Sequence, residues 1–342
     1  MAIKRLKFLA KTSLVCVLLV VLAGSLVRTT GSGMGCPDWP KCFGYYIPPT
    51  KLSELTFHVQ NEYKRGQIII VNKVLKVCKN DFTSENIYNE SNWLNYTKHD
   101  YAIFNPYHTW IEYINRLIGA FTGLPVLLLF AGSLFIWKKS KTIPILCLSV
   151  LILLGIVAYM GKLVVDGNLI PNQITLHMMG AVLLVFLLLV IINKLNSLEP
   201  LQGFSEPLNK SIAPFLIASV IVTLFQIIMG TKVREQIDFI DRKLGLDRSV
   251  WIQQLDYHFD WHRTFAWVVL LLNGFIVFRL MKLRVQPMFV KQITSLVLVE
   301  IFIGVFMSYF EIPNYMQPAH LVAAFLLFAV QSNFLLAYQI KK

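Results

Sequence analysis

Charge is what this sequence has least of. Only 15% of its 342 residues are Asp, Glu, Lys or Arg, against 56% hydrophobic residues. So little polar material cannot cover the surface of a folded chain of this length in water, which excludes a soluble globular fold. Acidic residues are the scarcer sign, 19 against 32 basic, leaving a net charge of +13. In a soluble chain such an excess would suggest nucleic acid. Here the basic residues collect in short segments between apolar runs, so nucleic acid is not an expected partner. Cysteine is sparse too, at five residues. No second Cys or His pair lies near Cys36 and Cys42 to complete a zinc site. The basic start Met1–Lys7 runs straight into the first apolar run with no mitochondrial-type presequence, and Leu26-Val27-Arg28 is not a small-residue cleavage site. That run is therefore expected to remain as a span in a bacterial inner membrane.

What is present is a series of eight apolar runs, near residues 8–27, 109–137, 142–163, 174–193, 211–231, 257–280, 291–310 and 318–338. Each approximates the roughly 20 residues needed to cross a bilayer. The fold class is all-α and polytopic, with the lipid bilayer as its surroundings. Lys4, Arg5, Lys7 and Lys11 fall on one side of the membrane, together with Lys138, Lys139, Lys141, Lys194, Lys210, Arg279, Lys282, Arg284, Lys291, Lys341 and Lys342. The short opposite loops, 165–173 and 311–317, contain no Lys or Arg. Positive charge marks the cytoplasmic face, so both termini are expected in the cytoplasm.

The chain repeats. Gly24-Ser-Leu-Val-Arg28 is echoed by Gly230-Thr-Lys-Val-Arg234, and Ile111–Arg116 by His258–Arg263. Ile170-Pro-Asn reappears at Ile312, each copy leading to a histidine, His177 or His320, with an alanine four residues on. Two pseudo-symmetric four-helix bundles follow, 1–200 and 201–342, joined by a Pro-, Ser- and Asn-containing linker over 193–210. The first copy carries an extra polar segment, 45–105, expected as an external cap. No chemistry is legible in that segment: Cys78 has no evident partner, His58 and His99 read as surface residues, and Asn95-Tyr-Thr97 matches a glycosylation sequon.

Several residues carry chemistry. His262 and His320 open apolar spans at equivalent ends of the second and fourth helices of one unit, an arrangement able to hold a haem iron from both sides. His258, one turn before His262, is the competing ligand. In the first unit His177 occupies the place of His320, but Asn115 stands where His262 would be. Glu112, Asn115 and Arg116 share one helix face, and ionisable groups in a span face a bundle interior or a functional site. A Glu112–Arg116 pair satisfying itself is the structural alternative. Cys36 and Cys42, with Pro37 and Pro40 bending the chain between them, read as a disulfide, with free thiols as the alternative.

The stretch Val27-Arg28-Thr-Thr-Gly-Ser-Gly-Met-Gly-Cys36-Pro-Asp-Trp-Pro-Lys-Cys42 resembles the first external loop of the haem A synthase family. The resemblance extends over nearly the whole chain apart from much of 45–105. It implies oxidation of the C8 methyl of haem O to the formyl group of haem A for cytochrome oxidase biogenesis. It further implies a haem b cofactor between His262 and His320, and a substrate haem site in the first half with His177 as ligand. Glu112, Arg116 and His177 match the family pattern; Asn115 departs from it, and His108 lies too far along the helix to substitute. Glu112 is the candidate for proton handling or substrate positioning. Arg116 and Arg263, then Arg28 and Arg234, are candidates for haem propionates. Expected partners are haem O, haem O synthase, an unidentified electron donor and further copies of the chain. A di-haem membrane cytochrome b is the alternative function, and it would need a complete His pair in both halves.

Overall fold

The computed structural model describes residues 2–97, 103–166, 172–198, 211–284 and 286–339. His99, the junction containing Ile170 and Pro171, the linker over 199–210, and Lys341 and Lys342 lie outside the described residues. Eight long helices are present: α1 (Ala2–Thr29), α2 (Pro106–Leu134), α3 (Thr142–Asp166), α4 (Gln173–Ser197), α5 (Ala213–Phe239), α6 (Tyr257–Lys282), α7 (Pro287–Tyr309) and α8 (Met316–Gln339). All eight are long and apolar enough to cross a membrane. Their outward faces are apolar as well, with Phe121, Phe135, Leu271 and Phe302 largely exposed. Such surface is stable only against lipid. The chain is an all-α, multi-pass membrane protein.

Helix starts follow local chemistry. Asn105 caps α2, its Oδ1 accepting from the Tyr107 N–H at 3.0 Å, with Pro106 at the first helical position. Asp256 caps α6 through the His258 N–H at 2.8 Å. Both devices satisfy backbone donors that a helix start leaves open.

Packing divides the helices into two rings. In the first, α1 and α3 each contact α2 and α4; in the second, α5 and α7 each contact α6 and α8. The rings meet through α1, α4, α5 and α8. The first core joins buried Leu6, Val17, Leu129, Ile143, Val185 and Leu188, and reaches Phe325 and Phe328 of α8. The second is built on Leu216, Ile276, Leu280, Ile293 and Leu327. A buried polar cluster ties α5, α6 and α8, where Ser219 donates to Asn273 Oδ1 at 3.0 Å and Gln331 Nε2 donates to both.

The segment after α1 contains β structure that its polarity does not announce. Strands β2 (Ile68–Val71) and β3 (Val74–Cys78) form a hairpin, extended by β5 (Trp93–Asn95). Asn72 and Lys73 make its turn, both at positive φ. Strands β1 (Glu62–Tyr63) and β4 (Phe82–Thr83) pair separately. Tyr63, Phe82, Tyr88 and Trp93 stack into an aromatic core that also buries Cys78, whose thiol is pushed up by that burial. A second core joins Ile68 and Leu75 of the sheet to Cys36, Cys42 and Phe43. The cap is thus packed onto the cysteine loop.

Candidate functional site

The ligand-type residues lie at the cap end of the bundles, where a recurring device positions them. Each faces a glycine on the preceding helix. A Cβ at Gly24 of α1 would come 3.9 Å from Asn115 Oδ1, and one at Gly161 of α3 would come 3.3 Å from His177 Cε1. The corresponding distances are 3.1 Å from Gly230 of α5 to His262 Cε1 and 3.6 Å from Gly304 of α7 to His320 Cε1. At Gly161 and Gly230 a Cβ would crowd the imidazole, whereas at Gly24 and Gly304 it would make an ordinary contact. The repeat read from the sequence therefore extends to the groups behind the four candidate ligands.

The second ring brings His262 and His320 together. Their ring centroids are 6.1 Å apart and their planes nearly perpendicular, at 86°. Two imidazoles bound to one metal at about 2 Å each would place their centroids about 6 Å apart. His262 Nδ1 faces the backbone carbonyl of Gln226 without reaching hydrogen-bond geometry. Gln226 Nε2 in turn donates to the His262 carbonyl at 2.6 Å. Among the described residues no group of three or more His, Cys, Asp or Glu could hold a bare ion. Two facing imidazoles suit a metal whose other ligands come with it, as in a porphyrin. The residues present fit a haem. His258 does not share this place: it is bound to Asp256, with Nδ1 2.8 Å from Oδ1.

In the first ring His177 Nδ1 faces the Val157 carbonyl, again short of hydrogen-bond geometry, and Asn115 Oδ1 is buried without a partner. Glu112, 2% exposed, is fully engaged. Its Oε2 accepts from the Cys36 N–H at 2.9 Å, and Oε1 accepts from Arg116. Arg116 also donates to the carbonyls of Asp38 at 2.7 Å and Lys41 at 3.0 Å. The pair thus grips both ends of the loop closed by the Cys36–Cys42 disulfide. Burial pushes the Asp38 carboxyl of that loop above the usual range, opposed by the Gly44 N–H and the Arg116 charge. His108 lies with its backbone against Gly35, where a Cβ would meet its carbonyl at 2.5 Å. Glu112→Ala is expected to cost about 3 kcal/mol, because it strands a buried guanidinium. Thermal unfolding in detergent measures this; an unchanged midpoint with lost activity would assign Glu112 to chemistry alone.

The arginines divide. Arg263 is 64% exposed in its side chain and pairs with Asp260 at 3.1 Å. Arg28 and Arg234 both bind Asp238, at 2.6 and 2.7 Å. Arg234 also donates to the Arg28 carbonyl at 3.2 Å, across 206 residues. Nearby, Glu235 accepts from Thr175 Oγ1 at 2.8 Å and from the Asn172 N–H at 3.1 Å, capping α4. Asp238, Glu235, Gln226 and Glu300 are absent from the sequence reading. For the three acids the one available signal is the cost of acidic groups in spans; for Gln226 there is none.

Sequence comparison identifies the family. A family model described as "Cytochrome oxidase assembly protein" (COX15-CtaA) matches residues 7–87 and 85–332. A protein of Shewanella oneidensis named "Heme A synthase" is 26% identical over 226 residues, covering 66% of this chain and 56% of that protein. One of the same name from Ehrlichia ruminantium strain Gardel is 24% identical, covering 94% of this chain and 89% of its own length. A third, from Geobacillus thermodenitrificans, is 37% identical over 76 residues, 22% of this chain and 23% of its own. With the model spanning nearly all of the sequence, the chain belongs to the COX15-CtaA family of cytochrome oxidase assembly proteins.

Proposed function

We infer that this protein is a haem A synthase, oxidising the C8 methyl of haem O to the formyl group of haem A. The observation that carries this is the His262–His320 pair at 6.1 Å, in a chain aligned over 94% of its length with a protein of that name. Residues 201–342 hold a haem b between His262 and His320, and residues 1–200 hold the substrate. A haem bound between the two histidines supplies one-electron transfer. In the first half two successive two-electron oxidations, driven by an external oxidant and each adding one oxygen atom, would turn the substrate methyl into a diol, which loses water to give the formyl group. Glu112 and Arg116 hold the cysteine loop over that half, and among the described residues His177 is the imidazole placed for the substrate iron. Arg263, being exposed, is accessible to a propionate at the rim. The Lys and Arg clusters at the helix ends away from the cap support an orientation with both termini in the cytoplasm of a bacterial cell and the cap outside.

Pigments extracted from cells supplied with haem O, with and without this protein, test the reading: haem A is expected only with it. Purified protein carrying haem b but never converting haem O would instead favour a membrane cytochrome. Asn115 is a poor iron ligand, so the substrate haem is held by His177 with one axial position free. Asn115→Ala should therefore retain the substrate-haem absorption bands, whereas their loss would show that Asn115 ligates.

A further inference from the structure

Glu300 is the acidic residue set deepest in a span. It lies nine residues before the cap-side end of α7, roughly 14 Å along the helix axis. A carboxylate there is costly unless it is paired. Its Oε2 lies 2.8 Å from His320 Nδ1, at ion-pair distance rather than in aligned hydrogen-bond geometry, and Oε1 has no partner. One turn on, Gly304 lies beside the same ring, where a Cβ would come 3.6 Å from Cε1. The face of α7 toward His320 therefore sets a carboxyl group behind the imidazole.

The first repeat provides an internal control. Gly161 plays the part of Gly304 against His177, and the residue four places before it is Val157, not an acid. His177 Nδ1 faces only a carbonyl, as does His262 Nδ1. Of the three histidines His320 alone has a carboxylate behind it. A carboxylate at Nδ1 fixes the tautomer, leaves Nε2 as the metal-binding nitrogen and makes the imidazole a stronger donor.

We propose that Glu300 is a positioning residue that makes His320 the stronger of the two axial ligands and lowers the reduction potential of the haem between His262 and His320. This rests on haem binding by that pair. A stronger anionic donor set stabilises the ferric state, so the haem of the second half is biased toward giving its electron away.

The test is a redox titration of the purified, haem-loaded protein, with low-temperature EPR of the oxidised form. Glu300→Gln keeps the shape and removes the charge. It is expected still to load with haem, though less tightly, and to favour the ferrous state about tenfold, an upward shift of about 59 mV for one electron. Glu300→Val, which copies the first repeat, should shift at least as far and broaden the low-spin EPR signal as the ring loses its fixed orientation. Glu300→Asp should move back toward the parent value. Haem-loaded Glu300→Gln with parental potential and EPR signal would overturn the proposal. Should Glu300→Val fail to fold, the isosteric Gln variant still decides. Parent protein purified without haem b would instead overturn the ligand assignment beneath it, a separate result read from the absorption spectrum.

Discussion

Purified His320→Ala protein is expected to lack the haem b absorption bands and to convert haem O at least about 100-fold more slowly than the parent. Even the partners behind a metal ligand cost roughly 10–100-fold when removed, and a ligand should cost no less. His262→Ala should behave alike, because the two rings occupy one site at 6.1 Å. His177→Ala should separate the halves: haem b retained, conversion lost. The measurement is an absorption spectrum beside a pigment assay on the same preparation. If His320→Ala kept a full complement of haem b and its spectrum, the pair would not be the cofactor site. If His177→Ala converted haem O normally, the division of labour between the halves would fail.

Asp238→Ala should destabilise the protein by about 5 kcal/mol, at the upper end for breaking a buried ion pair. The reason is that one carboxylate serves two guanidiniums. Arg28 comes from α1 and Arg234 from α5, repeat-equivalent residues that meet on the same acid at 2.6 and 2.7 Å. All three side chains are largely buried, so water compensates little. The equivalent position in the first repeat is Ser32, which offers no second carboxylate. Removing Asp238 leaves two like charges side by side at the seam between the bundles. Thermal unfolding in detergent should show a large loss, with Asp238→Glu recovering much of it. A midpoint unchanged in Asp238→Ala would mean that this ion-pair cluster does not hold the bundles together.

The fold was legible where physics leaves little choice. A span must be long and apolar, and the eight runs read from composition fall on the eight helices, with α5 extending further, to Phe239. The histidine pair was legible because an imidazole at a helix mouth recurs in register with a repeat. The cap was not. Its strands are short, and the β2–β3 turn is Asn72-Lys73 without the glycine that usually marks such a hairpin. The Glu112–Arg116 pair was visible as an i, i+4 face. Its purpose was not, because Cys36, Asp38 and Lys41 lie on a distant loop with no periodicity linking them to α2. Glu300 stayed hidden for the same reason, its partner His320 being on another helix, and so did the contact of Asp238 with Arg28 of α1.

The glycines opposite the candidate ligands also act as register locks. Gly230 lies between Met229 and Thr231, Gly161 between Met160 and Lys162, and Gly304 between Ile303 and Val305. Advancing one of these helices by a single residue, a turn of about 100° with a rise of about 1.5 Å, would bring a side chain against the imidazole. Lipid-facing helices have little else to stop them slipping, because leucine against leucine packs nearly as well one step along. Each histidine is thus also the pin that indexes its helix against the next, and mis-threaded bundles are rejected at the positions where a metal ligand must stand.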